Sequence, residues 1–270
     1  MSTTVPRVLV LGGNGNVAKL MTRLMLAKGW HVISVIRAPS QSASLSISLG
    51  STNSGHLDFR TVDFLSTTSS SAKDLLQDVR PDIIVWAAAS MSQPRQIDGA
   101  AAKAYTAAGA SLPTVKKILS ISAYSARRKA APWWSKADAE YWKHEVTSYP
   151  DIANAKTDAD EHLIAWGNKR AREGDATFQA IAVRPVWYGS GGNGSEGKVV
   201  VGKTPARGTV RREDVASIAV ALLERSDARG YFDVAGGGTL AVEKAVQKAV
   251  EENVDAIEGE DVERISALVS

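Results

Sequence analysis

Residues 12–24 read GGNGNVAKLMTRL and follow directly on the apolar run 8–11. A short apolar run that turns through a glycine cluster into a helical pattern predicts a strand, a tight turn and a helix N-terminus. Gly12, Gly15 and Ala18 stand in G-x-x-G-x-x-A spacing. Gly12 permits the tight turn, Gly15 lets backbone N–H groups approach a pyrophosphate, and the small Ala18 permits close helix-to-strand packing. Gly13, Asn14, Asn16 and Val17 complete this candidate phosphate cradle.

Outward from the turn, short β-branched runs alternate with longer amphipathic or alanine-rich stretches. The runs are RVLVLG, HVISVIR, LDFRTVD, DIIVWAAA, KKILSISAY, TFQAIAVRP and GYFDVAGG; helices are expected at 17–28, 70–78, 97–108, 152–172, 212–225 and 242–252. This alternation predicts an α/β fold, a Rossmann-like doubly wound parallel sheet with helices on both faces. One domain over 1–270 is expected, with a small substrate-side region built from C-terminal loops. Three segments break the rhythm: a serine-rich surface connection at 40–55, an insert at 125–150 containing PWWSKADAEYWKHE, and a glycine-rich loop at 189–208 with a short apolar piece inside it. The last two follow strands and are expected as substrate walls. Residues 253–270 are expected as a solvated helical or flexible tail.

The second strand decides the dinucleotide. An acid at its end holds the ribose 2′-hydroxyl of NAD, whereas an arginine there accommodates the 2′-phosphate of NADP. The chain reads VISVIRAPS, with Arg37 at that place and no Asp or Glu before Asp58, so NADP(H) is expected. Asp63, near the end of LDFRTVDF, is placed to reach the adenine rim or to cap a turn. Ala87 and Ala88, in WAAAS, are small enough to let the fourth strand pass close to the cofactor.

Composition excludes other chemistries. The 270 residues contain no cysteine, which removes disulfides, thiolate metal sites and a cysteine nucleophile. The four histidines are scattered without ligand spacing, so no metal is expected. A net charge of +3, from 32 basic and 29 acidic residues, is too balanced for a nucleic-acid partner. No apolar run is long enough to span a bilayer, and the first strand pattern begins near Arg7; a cytoplasmic protein with a small-molecule substrate is the expectation. The aromatic insert reads as a lid over that substrate, with core packing or a homodimer surface as alternatives.

These motifs together resemble the atypical and extended branch of the short-chain dehydrogenase/reductase superfamily. GGNGNVA resembles its glycine turn, ILSISAYS its serine-bearing fifth strand and NAKTDADEHL the helix with its active-site lysine; AVRP, RREDVA and FDVAGGG resemble its C-terminal half in order and spacing. The resemblance covers about residues 7–238. It implies that Lys156 holds the nicotinamide ribose, that Ser122 polarises a substrate carbonyl and that the backbone after Pro185 contacts the carboxamide. A tyrosine four residues before the lysine is the family's proton donor. This chain has Ile152 there, which cannot ionise. Tyr149, Tyr124 and Tyr141 are the phenols that could substitute, with Tyr149 the nearest in sequence. Three functions remain open on this reading: an NADP(H)-dependent reductase of a small carbonyl or enone, an NADP(H)-sensing regulator similar to NmrA-like proteins, and a non-redox isomerase or cyclase.

Overall fold

In β1 (Arg7–Leu11), Val8 and Val10 face one apolar cluster while Leu9 and Leu11 face another, as the two-residue period of a strand requires. The computed structural model describes residues 5–49, 54–189 and 197–269. Its further strands are β2 (His31–Ile36), β3 (His56–Thr61), β4 (Ile83–Trp86), β5 (Lys117–Ile121), β6 (Gln179–Pro185), β7 (Trp187–Tyr188), β8 (Lys198–Gly202), β9 (Thr209–Val210), β10 (Gly230–Gly236) and β11 (Leu240–Ala241). Nine of these eleven strands, β1 included, form one sheet in the order β11-β8-β10-β6-β5-β4-β1-β2-β3. From β3 to β10 every neighbouring pair is parallel; β8 runs antiparallel to both β10 and β11.

The helices are α1 (Asn16–Ala27), α2 (Gln41–Leu49), α3 (Ser69–Val79), α4 (Ala102–Ala110), α5 (Lys136–Ser148), α6 (Pro150–Arg172), α7 (Arg212–Glu224), α8 (Val242–Glu251) and α9 (Val262–Ser266). Helices α1, α7 and α8 cover one face of the sheet, and α3, α4 and α6 the other. The doubly wound α/β arrangement is therefore as expected. The chain leaves β1 towards β2 and returns to β4 on the opposite side, which opens a crevice above the carboxyl ends of β1 and β4.

Several segments differ from the sequence expectation. The serine-rich connection contains helix α2, anchored by the buried Leu45; residues 50–53 lie outside the described residues. The insert contains α5, capped by Ser135, whose side chain accepts from the Asp138 backbone. The apolar piece of the 189–208 segment is β8, because alternate valines of KVVVG extend the sheet rather than wall a pocket; residues 190–196 lie outside the described residues. The tail is docked, not solvated. Ala256 and Ile265 are fully buried, the Ala256 N–H donates to Tyr231 O, and the buried guanidinium of Arg127 donates to Ala256 O and Glu258 O. A buried guanidinium needs acceptors, and the returning tail supplies them. Among the described residues no helix is long and apolar enough to cross a membrane.

Candidate functional site

The turn after β1 is built so that only glycine fits. Gly12 has φ +93°, and a Cβ there would lie 2.5 Å from the backbone nitrogen of Ala88. A Cβ on Gly13 would stand 1.8 Å from Ser34 Oγ. Gly15 N–H closes the turn on Gly12 O at 2.9 Å, and Gly15 then serves as the N-cap of α1 without any side chain to satisfy the first-turn N–H groups. No acidic residue occupies that first turn. The orphan N–H groups of Asn16, Val17 and Ala18 and the positive end of the helix dipole are thus left for an external anion. Asn14 is half-buried in the turn, and Gly15 and Asn16 after it are exposed. This cradle fits a pyrophosphate.

Around the cradle the other expected cofactor residues take definite places. Arg37 follows β2 directly and is exposed; its N–H donates to Gln41 Oε1, while its guanidinium makes no hydrogen bond or ion pair among the described residues. Asp63 caps the short 3₁₀ turn Phe64–Ser66, accepting from Leu65 N–H at 3.0 Å, and remains exposed. Ala88 is the residue against which Gly12 packs, and Ala87 faces the crevice.

The crevice continues into a cavity of about 420 Å³, within the range of small-molecule sites. Gly15, Asn16 and Val17 line it together with Ser122, Ile152, Lys156, Pro185 and Tyr149. The residues expected to hold a cofactor and those expected to act on a substrate therefore share one space. Trp187 of β7, 46% exposed, stands at its rim and donates Nε1–H to Glu145 Oε2 at 2.9 Å. The insert reaches this space through Ser125, Glu145 and Tyr149, but its tryptophans do not. Trp133 and Trp134 both donate to Thr204 O, at 2.9 and 2.8 Å, and Trp142 donates towards Ser125 O. The tryptophans pin the insert to the segment before β9 instead of forming a lid.

Lys156 projects from α6 into the cavity, and its Nζ lies 2.9 Å from Asp98 Oδ1. Asp98 sits on the π-helical stretch Arg95–Ala101, where Gly99 faces Ala155 of α6, with a Cβ there 3.5 Å from the Ala155 side chain, so the turn packs close to α6. Its second oxygen accepts from Ser90 N–H at 2.8 Å. Nothing in the sequence pattern pointed to Asp98. Ser122 Oγ donates to Asp160 Oδ2 at 2.6 Å, one turn beyond Lys156. Asp160 is fully buried, and burial pushes its pKa up to about 6 against the opposing pull of Arg184, the Ser122 hydroxyl and Lys156. Arg184, also fully buried, donates Nε–H to Asp233 Oδ1 at 2.7 Å.

The substitute phenols divide by position. Tyr149 lines the cavity and is 44% exposed, with its ring edge-on to Trp187. Tyr124 lines it too, but burial, and then the Glu145 carboxylate, raise its pKa far above the ordinary range. Tyr141 stacks behind Tyr124 and does not reach the cavity. Tyr188, which sequence patterning left aside, and Arg212, expected with Asp214 to anchor the preceding loop and start a helix, complete the wall with the guanidinium 4.6 Å over the ring. Burial raises Tyr188 to about 12, opposed by Arg212. Asp214 instead pairs with Arg211 at the start of α7.

Two of the scattered histidines converge elsewhere. The parallel register sets His31 opposite His56, and both approach Asp58, at 2.8 and 3.2 Å. Arg7 Nη1 lies 3.0 Å from His31 Nδ1, and an arginine can only donate. The His31 proton is therefore on Nε2, pointing at Asp58. A metal on Nε2 requires an Nδ1–H with an acceptor beyond it, and Arg7 is not one. The trio is a hydrogen-bonded cluster at the amino ends of β2 and β3, at the opposite end of the sheet from the cavity.

The description of an NAD(P)H-binding family fits residues 12–226 of the chain. The chain belongs to this NAD(P)H-binding family. Solved structures carry the same fold as this family member. A Bacillus halodurans protein assigned as an NAD-dependent epimerase/dehydratase superposes with a TM-score of 0.66 at 21% identity, covering 90% of this chain and 99% of its own. A Bordetella bronchiseptica enzyme in complex with NAD⁺ gives 0.58 at 15% identity, over 92% and 81%. The yeast methylglyoxal/isovaleraldehyde reductase complexed with NADPH gives 0.60 at 13%, over 84% and 76%. The resemblance to short-chain dehydrogenases/reductases drawn from GGNGNVA, ILSISAYS and NAKTDADEHL thus holds at the level of fold and nucleotide binding. No curated protein sequence matches the chain.

Proposed function

We propose that this NAD(P)H-binding protein takes NADP(H) in preference to NAD(H) and acts as an oxidoreductase on a small, predominantly apolar or aromatic carbonyl or enone. One observation carries this reading: a single cavity joins the anion cradle at Gly15–Val17 to Ser122 and Lys156. The first-turn N–H groups of α1 hold the pyrophosphate, Arg37 pairs with the 2′-phosphate, and Asp63 and Ala87 border the adenosine side. Ala88 keeps β4 close beneath the turn, and the backbone after Pro185 borders the carboxamide. Bound nicotinamide supplies or accepts a hydride. Lys156 exchanges its bond to Asp98 for the ribose hydroxyls, and Ser122 orients the substrate oxygen. The proton at that oxygen comes from Tyr149 or from water, because Ile152 has none to give.

The apolar walls, with Tyr124, Tyr188 and Trp187 among them, favour a substrate that is itself flat or apolar. A regulator that senses NADP(H) without turnover is the second reading, favoured by Ile152 at the proton donor's place. Calorimetric titration with NADPH and NADH, followed by NADPH oxidation assays with acetophenone and with an aromatic enone, separates the two. Preferential NADPH binding with turnover supports the oxidoreductase. Preferential NADPH binding without turnover of any carbonyl supports the sensor, and equal affinity for the two cofactors removes the NADP(H) assignment.

A further inference from the structure

Ser122 has one hydroxyl proton, and that proton points away from the cavity. Its Oγ donates to Asp160 Oδ2 at 2.6 Å. A serine committed in this way presents only lone pairs to the cavity and repels a carbonyl oxygen, which accepts hydrogen bonds and never donates them. The Ser122 side of the proposed site therefore works for a carbonyl only if the Asp160 bond reverses.

The surroundings of Asp160 allow that reversal. The carboxyl is fully buried, and among the described residues it makes no ion pair; its Oδ1 has no hydrogen-bond partner. The charged and titratable groups around it are Lys156 of its own helix, Arg184 of β6, and Tyr231 and Asp233 of β10. Lys156 pairs with Asp98 and Arg184 Nε with Asp233; Arg184 Nη2 has no hydrogen-bond partner, and its charge opposes the effect of burial on Asp160 without bonding to it. A buried carboxylate without its own cation is costly, and the neutral acid is the form that such a place favours.

Building on the proposed role of Ser122 at the substrate oxygen, we infer that Asp160 is a positioning residue that sets the hydrogen-bond polarity of Ser122. With Asp160 ionised, the Ser122 proton is held by the carboxylate and the cavity meets an acceptor. With Asp160 protonated, the acid donates to Ser122 Oγ, and the serine proton is released to a carbonyl oxygen in the cavity. No covalent bond changes and no further reactant is needed; one proton taken up at Asp160 turns the serine round. The rise of the Asp160 pKa to about 6 puts this reversal close to neutral pH. A ligand carbonyl and a proton on Asp160 then favour each other's binding, by linkage.

Infrared titration of the protein without cofactor tests the coupling directly, comparing wild type with Asp160→Asn and Ser122→Ala. A protonated-carboxyl band with a midpoint near 6 is expected in wild type, absent from Asp160→Asn. In Ser122→Ala the same band is expected at a changed frequency and with a raised midpoint, because the ionised form has lost its donor. The inference is overturned if Asp160→Asn removes no titrating band, or if Ser122→Ala moves neither frequency nor midpoint. The variant Ser122→Ala loses only a hydroxyl and keeps the test valid if Asp160→Asn does not fold. In an NADPH-dependent assay with acetophenone, wild-type kcat/KM is expected to fall as pH rises through the infrared midpoint. Asp160→Asn, whose amide donates to Ser122 at every pH, is expected to flatten that profile, and an unflattened profile overturns the inference. Absence of turnover in every variant, alongside the expected infrared titration, removes the proposed oxidoreductase function and leaves the coupling of Asp160 to Ser122 standing.

Discussion

Lys156 and Asp98 form an ion pair, with Nζ 2.9 Å from Oδ1, that ties α6 to the π-helical turn Arg95–Ala101. The lysine side chain is 13% exposed and the aspartate 1%. A lysine proposed to hold a ribose thus has a structural duty before any cofactor arrives, and its substitution acts on stability and on binding at once.

Lys156→Ala leaves a buried carboxylate uncompensated, a loss of roughly 3 kcal/mol. For a chain of this size that lowers Tm by on the order of 10 °C. Adding Asp98→Asn is expected to restore most of the Tm while leaving NADPH affinity weakened. Calorimetry and thermal melts on the three variants check this. Full recovery of NADPH binding in the double variant would show that Lys156 acts only as the partner of Asp98.

Arg37→Ala is expected to weaken NADPH binding by about ten- to a hundredfold, the worth of one charge-assisted bond, and to leave NADH binding unchanged. Because the Arg37 guanidinium has no protein partner among the described residues, Tm should not move. A drop in affinity for both cofactors together would place Arg37 outside the 2′-phosphate site.

Gly13→Ala forces a methyl to 1.8 Å from Ser34 Oγ, an overlap that something must relieve. Overpacking of this kind costs about 1–3 kcal/mol. Placing the substitution in a Ser34→Gly background removes the opposing atoms, so the second change should recover part of the loss in urea denaturation. Equal losses in both backgrounds would mean that the turn itself, not Ser34, rejects the methyl.

The folded-state pKa of Asp160, about 6, lies above its ordinary value of 3.8. The native state therefore binds this proton more tightly than the unfolded chain. Its contribution to stability falls as pH rises from about 4 to about 6, and the penalty is constant above that. Asp160→Asn never ionises, so its stability relative to wild type should be higher at pH 8 than at pH 4, by on the order of 3 kcal/mol, read as a pH-dependent Tm difference. His162, held to about 4 by burial, destabilises both proteins alike as pH falls from about 6.5 and cancels in the difference. A Tm difference that does not depend on pH would contradict a raised Asp160.

Ile152 is half-buried and faces the cavity one turn before Lys156. Ile152→Tyr places a phenol where the resembled superfamily carries its proton donor, and general acid catalysis is worth about 10²–10⁴-fold. NADPH-dependent reduction of acetophenone is expected to rise towards the lower end of that range. No gain, with NADPH affinity intact, would show that proton supply does not limit this protein.

Local pattern was enough for the fold. The apolar run 8–11 located β1, and the glycine spacing after it located the cradle. Helices with strong periodicity, such as those at 16–27 and 150–172, were legible to within two residues. Weaker signals failed for definite reasons. Helix α2 is serine-rich and held by Leu45, and KVVVG is too short to distinguish a strand from a loop without its partners β10 and β11.

The sequence by itself located the glycine cradle and the Arg37 position, because each is defined by neighbours within one turn or one strand end; the place of Lys156 and the missing tyrosine rested on the resemblance of NAKTDADEHL to the superfamily's helix. Only the tertiary structure decided what those residues touch. Asp98 meets Lys156 across 58 positions and Asp160 meets Ser122 across 38, through crossovers whose register no local pattern records. The same holds for His31, His56 and Asp58, which parallel pairing brings together, and for the tail that returns to satisfy Arg127. Burial and hydrogen-bond partnership are properties of the packed molecule, and they are what turn a serine and an aspartate into a coupled pair.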